Sequence, residues 1–306
     1  MIFTVTLNPA LDYEIEISNF NLNKLNRAEK QSFIPGGKGI NVSRGLSFLG
    51  VDSIATGFLG GFTGHLMLEK LKKEKFQSRF ITIHEPTRLN IKVQDQQHAT
   101  EINGVSPSIS ATDIESLWMI LDELKDGDIL ILSGSQPQVK ENIYKKILER
   151  YQRLNLNIIL DISGQEYHDL LRFNPLMIKP NTQELKDYTK SELMSEKDIL
   201  QACRKILSKG SQSIIVSLGY NGAYYMDQTY TCYIHPIKGT PIRSYGAGDH
   251  LVSGFIYGLI KNENTMNRLR YGVACASLHI FEQNGYNLKQ VEELVQHIEI
   301  EEIVHD

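Results

Sequence analysis

Asp128-Ile129-Leu130-Ile131-Leu132-Ser133-Gly134-Ser135 is an unbroken apolar run that ends in small and polar residues. A strand with one wet face would alternate, whereas a continuous run suits a strand buried on both faces, as in a parallel sheet covered by helices. The form recurs. Asn157-Ile158-Ile159-Leu160 leads into Asp161, Leu176-Met177-Ile178 into Lys179-Pro180-Asn181, and Ser213-Ile214-Ile215-Val216 into Ser217-Leu218-Gly219. Helical patterns separate these runs from about residue 110 onwards, which predicts an α/β fold with a central, mostly parallel sheet. Ligands of such sheets bind beyond the carboxyl ends of the strands, where these small and polar residues stand.

The N-terminal third reads differently. Met1 to Pro9 has no basic segment before a long apolar core, so it reads as a buried first strand and not as a signal peptide. Asp12 to Ile17 and Leu89 to Val93 alternate apolar and polar like one-sided strands, and Gln97 to Ile102 is expected to pair with the second. A helical stretch around Ile40 to Leu49 lies between them. The expectation is a small sheet standing off the main body as a lid, formed by excursions at about residues 12–36 and 86–104. No repeat or linker divides the chain, so residues 1–306 are expected to form one domain.

Composition narrows the chemistry. With 306 residues, 41% hydrophobic and 22% charged, the chain can bury a large core. A net charge of −4 and a pI near 6.2 exert no global pull on nucleic acid or an anionic membrane. Cys203, Cys232 and Cys275 are scattered and odd in number, which argues against a zinc site or a disulfide framework and fits a reducing cytoplasm. The apolar run Leu251 to Ile260 is too short to span a bilayer. The nine histidines show no metal-binding spacing, and Met226, Met266 and Trp118 read as packing residues.

Several motifs carry chemistry, each beside a plainer alternative. Ser244-Tyr245-Gly246-Ala247-Gly248-Asp249-His250 is a glycine turn entering a helix, so Asp249 either serves the positive end of the helix dipole or acts as a base beside an anion hole. Gly36-Gly37-Lys38-Gly39-Ile40-Asn41-Val42 also precedes a helix. It is not a Walker loop, because Gly39 follows Lys38, nor a dinucleotide fingerprint, because Val42 stands where the third glycine belongs. Asp12 could bond sugar hydroxyls or cap a turn. Arg88, Asn90 and Lys92 share one face of a strand, and locally a solvated face explains them better than a phosphate site. Asn181-Thr182-Gln183-Glu184 fits a capping box as well as a ligand crevice. Ser217-Leu218-Gly219-Tyr220-Asn221-Gly222 fits a hairpin turn as well as a close approach to a ligand.

Their order along the chain says more than any one of them. Thr6 to Asp12, Gly36 to Val42, Thr87-Arg88-Leu89-Asn90, Ser133-Gly134-Ser135, Lys179 to Glu184, Ser217-Leu218-Gly219 and Gly246-Ala247-Gly248-Asp249 resemble the ribokinase-like PfkB carbohydrate kinases over essentially the full chain. Within that family the resemblance is to the hexose-phosphate branch, 1-phosphofructokinases and tagatose-6-phosphate kinases. It implies a three-layer α/β/α domain with a β-sheet lid, ATP as co-substrate, Mg²⁺, a sugar phosphate as acceptor, and a homodimer through the lid. It further implies Asp249 as catalytic base and the N–H groups of Gly246, Ala247 and Gly248 as the anion hole. Asp12, Gly37 and Asn41 would hold sugar hydroxyls, and Lys38 and Arg88, with Arg27 and Ser133, would lie near the substrate phosphate. Asn181, Ser217, Gly219 and Gly222 would face ATP, and Glu184 would position Mg²⁺ through water.

Three features depart from the family pattern. His250 follows the base where a small residue is usual, Tyr245 precedes the first glycine where Thr or Val is usual, and Glu282-Gln283-Asn284 stands near the expected adenine edge. Bulk beside the base would either slow catalysis, leaving a sugar-phosphate-binding protein, or turn away into packing. Thr87 to Lys92 and Thr100 to Asn103 look closer to 1-phosphofructokinases than to tagatose-6-phosphate kinases. The expected substrate is therefore fructose 1-phosphate, with tagatose 6-phosphate as the alternative.

Overall fold

The computed structural model describes residues 1–95, 98–163, 167–243, 245–282 and 285–304, without the side chains of residues 167 and 168. Gln97, Ser244, Gln283 and Asn284, all named above, lie outside the described residues. The first half of the chain runs β1 (Ile2–Thr6), β2 (Ala10–Glu16), β3 (Lys30–Gly36), α1 (Lys38–Phe48), β4 (Ile54–Gly60), α2 (Gly61–Leu71), β5 (Gln77–Ile83), β6 (Arg88–Gln94), β7 (Ala99–Ile102), α3 (Ala111–Leu121), β8 (Ile129–Gly134) and α4 (Ile143–Tyr151). The second half runs β9 (Asn157–Ile162), α5 (Tyr167–Leu170), β10 (Met177–Ile178), α6 (Thr182–Thr189), α7 (Glu196–Leu207), β11 (Ser213–Ser217), β12 (Ala223–Asp227), β13 (Thr231–Ile234), α8 (Ala247–Ile260), α9 (Thr265–Phe281), α10 (Leu288–Val295) and β14 (Ile300–Glu302).

Among the described residues the main sheet has ten strands in the order β14-β13-β12-β11-β10-β9-β8-β1-β4-β5. Every neighbouring pair from β11 to β5 is parallel, and β12, β13 and β14 extend the other edge antiparallel. The apolar runs are buried on both sides. Leu130, Leu132, Ile214 and Val216 pack with Leu117, Ile147 and Cys203 of α3, α4 and α7. Ile129, Ile131 and Ile215 pack with Val42, Val252, Ile256 and Ala274 of α1, α8 and α9. The result is the three-layer α/β/α architecture expected from the sequence.

β1 has β4 on one side and β8 on the other, so the strand order reverses there and opens a crevice beyond the carboxyl ends of β1 and β8. A separate sheet, β3-β2-β6-β7, stands over that crevice. Its register places Ala10 beside Arg88, Asp12 beside Asn90 and Glu14 beside Lys92, so one face of the sheet is polar. Leu11 anchors its base among Ile40, Leu59 and Met67.

The helix starts differ in how they are capped. α3, α6, α7 and α10 begin with capping boxes, Ser110 with Asp113, Asn181 with Glu184, Ser195 with Asp198 and Asn287 with Gln290. α1 and α8 have no side-chain cap. Their N-cap residues are Gly37 at φ 138° and Gly246 at φ 82°, backbone conformations that favour glycine. No side chain of either N-cap residue closes these helix starts. Among the described residues no helix is long and apolar enough to cross a membrane.

Candidate active site

A cleft of about 910 Å³ separates the main sheet from the small one, with Asp12, Lys38, Asn41, Lys179, Gly248 and Asp249 among its walls. Asp249 sits in the first turn of α8 and is nearly buried. Asn41 Nδ2 donates to its Oδ2 at 2.8 Å. Burial, and then the carboxylate of Asp161, push Asp249 up to about 7, against the pull of Lys38, the Asn41 amide and Lys179. Asp161 lies at the end of β9 and is fully buried, 2.8 Å from Lys38 Nζ and 3.3 Å from Lys179 Nζ. Burial alone would raise it, but Lys179 and Lys38 outweigh that cost and hold it below the usual carboxylate range. The two acids therefore divide: Asp161 keeps its charge, and Asp249 is poised to take a proton near neutrality.

Lys38 also reaches Glu184 Oε1 at 2.9 Å. Glu184 Oε2 accepts from Asn181 N and Asn181 Oδ1 accepts from Glu184 N, so the capping box and the contact with the cleft are one arrangement. Among the described residues no group of three or more His, Cys, Asp or Glu side chains forms a metal cage.

The small sheet supplies the opposite wall. Asp12 Oδ1 accepts from Asn90 Nδ2 at 2.9 Å and its Oδ2 from Lys92 Nζ at 2.8 Å. Arg88 donates to the Asn8 carbonyl at 3.1 Å, and burial depresses its guanidinium while Asp12 partly restores it. Arg88, Asn90 and Lys92 thus face the cleft side of the sheet, which corrects the locally favoured reading of a solvated face. Their register beside Asp12 is the reason. Lys92 Nζ lies 3.6 Å over the Tyr245 ring, and the Tyr245 hydroxyl donates to Glu14.

Asp12, Gly37, Lys38, Asn41, Arg88, Asn181, Ser217, Gly246, Gly248 and Asp249 all line the cleft, and Ala247 lies between the two glycines of α8. Arg27 does not line it; this residue is exposed on the loop joining β2 to β3. Ser133 is fully buried at the end of β8, and its neighbours Gly134 and Ser135 face the cleft instead. Gly219 and Gly222 lie in the turn after β11, beyond the lining residues. His250 points away from the cleft. It is fully buried, with Nδ1 2.7 Å from the Tyr286 hydroxyl and its ring stacked 3.8 Å from His279. Sequence reasoning missed Asp161, Lys179 and Arg44 as parts of the site. The first two each follow a buried strand at its carboxyl end, a usable signal; Arg44, one turn beyond Asn41, carried none.

Residues 5–291 match the model of the pfkB family carbohydrate kinases. The chain is 35% identical to a 1-phosphofructokinase of Borreliella burgdorferi, covering 99% of each chain. It is 33% identical to a tagatose-6-phosphate kinase of Staphylococcus epidermidis, covering 99% of this chain and 100% of the relative. Its fold matches Escherichia coli phosphofructokinase-2 in complex with fructose-6-phosphate at a TM-score of 0.87 and 27% identity, over 97% of this chain and 98% of the other.

Proposed function

The chain belongs to the pfkB family of carbohydrate kinases, and from that premise we propose that it is a 1-phosphofructokinase, converting fructose 1-phosphate and ATP to fructose 1,6-bisphosphate and ADP. The observation that carries the chemistry is Asp249, held by Asn41 at the uncapped, glycine-started end of α8 and facing the cleft. As the acceptor oxygen attacks, its proton passes to Asp249, the new O–P bond forms, and the bond from the γ-phosphorus to the bridging oxygen breaks as ADP leaves. The N–H groups of Gly246, Ala247 and Gly248, with the ammonium group of Lys179 beside Gly248, offset charge on the transferring group. A carboxyl near 7 suits this work, because it is ionised often enough to accept the proton and basic enough to keep it.

Asp12, Gly37 and Asn41 are assigned to the sugar hydroxyls, Arg88 and Lys38 to the substrate phosphate, and Asn181, Ser217, Gly219 and Gly222 to the nucleotide. Mg²⁺ prefers water and phosphate oxygens and needs no protein cage, so the Glu184 carboxylate fits as an outer partner that would hold it through water. When bound, the ion would neutralise charge on the triphosphate.

Fructose 1-phosphate is favoured by the Borreliella relative and by the basic face of β6. Tagatose 6-phosphate is favoured by the staphylococcal relative. A coupled assay with both sugar phosphates separates the two: kcat/KM is expected to be at least about tenfold higher for fructose 1-phosphate, and the reverse order would overturn the choice. No measurable turnover with either would favour a sugar-phosphate-binding protein. The small sheet is further proposed as a lid and as a homodimer face. Its side away from Asp12 carries Tyr13, Ile15, Ile91, Val93 and Ile102, and Ile102 is 57% exposed. Light scattering that reads a monomer at micromolar concentration would remove the dimer.

A further inference from the structure

Arg44 sits one turn after Asn41 on α1, and the structure gives it four hydrogen bonds. Nη1 donates to Asn41 Oδ1 at 2.7 Å, Nε and Nη2 to Glu74 Oε1 at 3.0 and 2.9 Å, and Nη2 to the Pro35 carbonyl at 3.2 Å. Asn41 Nδ2 then donates to Asp249 Oδ2. A continuous chain runs from Glu74, just beyond α2, through Arg44 and Asn41 to the carboxyl group assigned above as the base. We propose that Arg44 is a positioning residue for that base, acting through the Asn41 amide.

The argument rests on what each group can do. A guanidinium only donates, so the side of Asn41 that meets Arg44 must be the carbonyl oxygen, and the NH₂ group must face Asp249. An unanchored amide could turn over and present its oxygen to the carboxyl group. An acceptor there stabilises the protonated acid, which is the wrong state for a base. With the amide locked, Asp249 Oδ2 is engaged and Oδ1 is the oxygen left to receive the proton of the acceptor hydroxyl. Glu74 holds Arg44 from the far side, and the Pro35 carbonyl ties the same guanidinium to β3 of the small sheet. The other charged groups that act on Asp249 are Lys38 from α1, Asp161 from β9 and Lys179 after β10. His250 and His279, stacked behind the first turn of α8, are both shifted towards the neutral form by burial. None of these groups orients the amide.

The proposal rests on Asp249 being the base, and its test separates the two. In Arg44→Lys, kcat is expected to fall about tenfold or more, KM for ATP to stay within about threefold, and the acid limb of the kcat profile to move up by about one pH unit. In an Asn41→Ala background the same substitution is expected to change kcat by less than about twofold, because the group it acts through is gone. Equal losses in both backgrounds, or a rise in KM with a stationary acid limb, would overturn the role. Should Arg44→Lys fail to fold, Glu74→Gln is read the same way, with a smaller shift in the same direction expected and an unmoved limb counting against the proposal. Asp249→Asn is measured alongside. If it keeps turnover, the base assignment falls; if it is dead while Arg44→Lys behaves as wild type, only the Arg44 proposal falls.

Discussion

The first turn of α8 has two sides, and adjacent residues serve them. Asp249 faces the cleft and is bonded by Asn41, with the Asp161 carboxylate among the charges acting on it, while His250 faces the core between α1 and α9, stacked on His279 and bonded to Tyr286. Both are buried, and burial opposes charge on each. The outcomes differ in use. On the cleft side the cost of charge yields a carboxyl poised near 7; on the core side it yields a neutral aromatic stack that serves as packing. A titratable group beside the reaction centre is therefore recognised by what it faces and not by its distance along the chain.

The sharpest way to break the comparison is Asp249→Asn. On the cleft side the substitution removes the proton acceptor while keeping shape, so turnover is expected to drop about 10²- to 10⁴-fold with KM largely kept. Stability should move the other way. Because the folded-state value of Asp249 is raised from 3.8 to about 7, its stabilising contribution is complete below about 3.8 and is lost as pH rises through about 7. The asparagine variant is thus expected to melt at or above wild type at pH 8, with its advantage shrinking towards pH 6. A variant that melts lower at pH 8 would mean that the ionised carboxylate is net stabilising, and the burial argument would fail.

His250→Ser tests the core side. The sequence placed a bulky residue beside the base and left open whether it crowds the chemistry; the structure turns it into the core, where serine would leave a cavity and remove the ring nitrogen that meets the Tyr286 hydroxyl. The expected cost is about 2–4 kcal/mol of stability, without a gain in turnover. Its pH dependence has the opposite sign to that of Asp249. A histidine whose value is lowered in the fold contributes stability that is present above 6.5 and is lost as pH falls towards the folded value, which burial holds well below 6.5 for His250. The gap between wild type and His250→Ser should accordingly narrow as thermal melts move from pH 7.5 to pH 5. A large rise in turnover would show that His250 does crowd the base.

These contrasts mark what the sequence could tell. Unbroken apolar runs such as Ile129 to Leu132 declared the parallel sheet, and alternation in Asp12 to Ile17 declared the small one, because strand period and burial are written locally. The glycine turns at Gly37 and Gly246 declared their own helix starts. Three things were not local. The direction of His250 depends on where α9 packs, the facing of Arg88, Asn90 and Lys92 depends on which strand pairs with β6, and the lysine pair around Asp161 is assembled from α1 and the end of β10. Arg44 was invisible for the same reason, since its partners come from β3, α1 and the turn after α2.

The smallest effect is expected where the two sides of the cleft touch. Tyr245, on the residue before the glycine turn, donates from its hydroxyl to Glu14 of the small sheet, and Lys92 of the same sheet lies over its ring. Burial, and then the bond to Glu14, keep the phenol protonated, so it acts as a donor throughout the working pH range. Its carbonyl meanwhile lies 3.0 Å from His279 Nε2, which ties the same residue to α9. Tyr245→Phe keeps the ring under Lys92 and the backbone tie but removes the hydroxyl bond, a loss of about 1 kcal/mol at a partly buried site. That loss falls on how the small sheet rests over the cleft and not on the proton acceptor, so KM for the sugar phosphate should rise about two- to fivefold with kcat and its acid limb unmoved. Tyr245→Val, the residue type more usual at this position, also removes the ring from Lys92 and should raise KM further. If kcat falls in Tyr245→Phe while KM holds, the hydroxyl reports to the anion hole through Gly246, and the two sides of the α8 turn are less separate than their contacts imply.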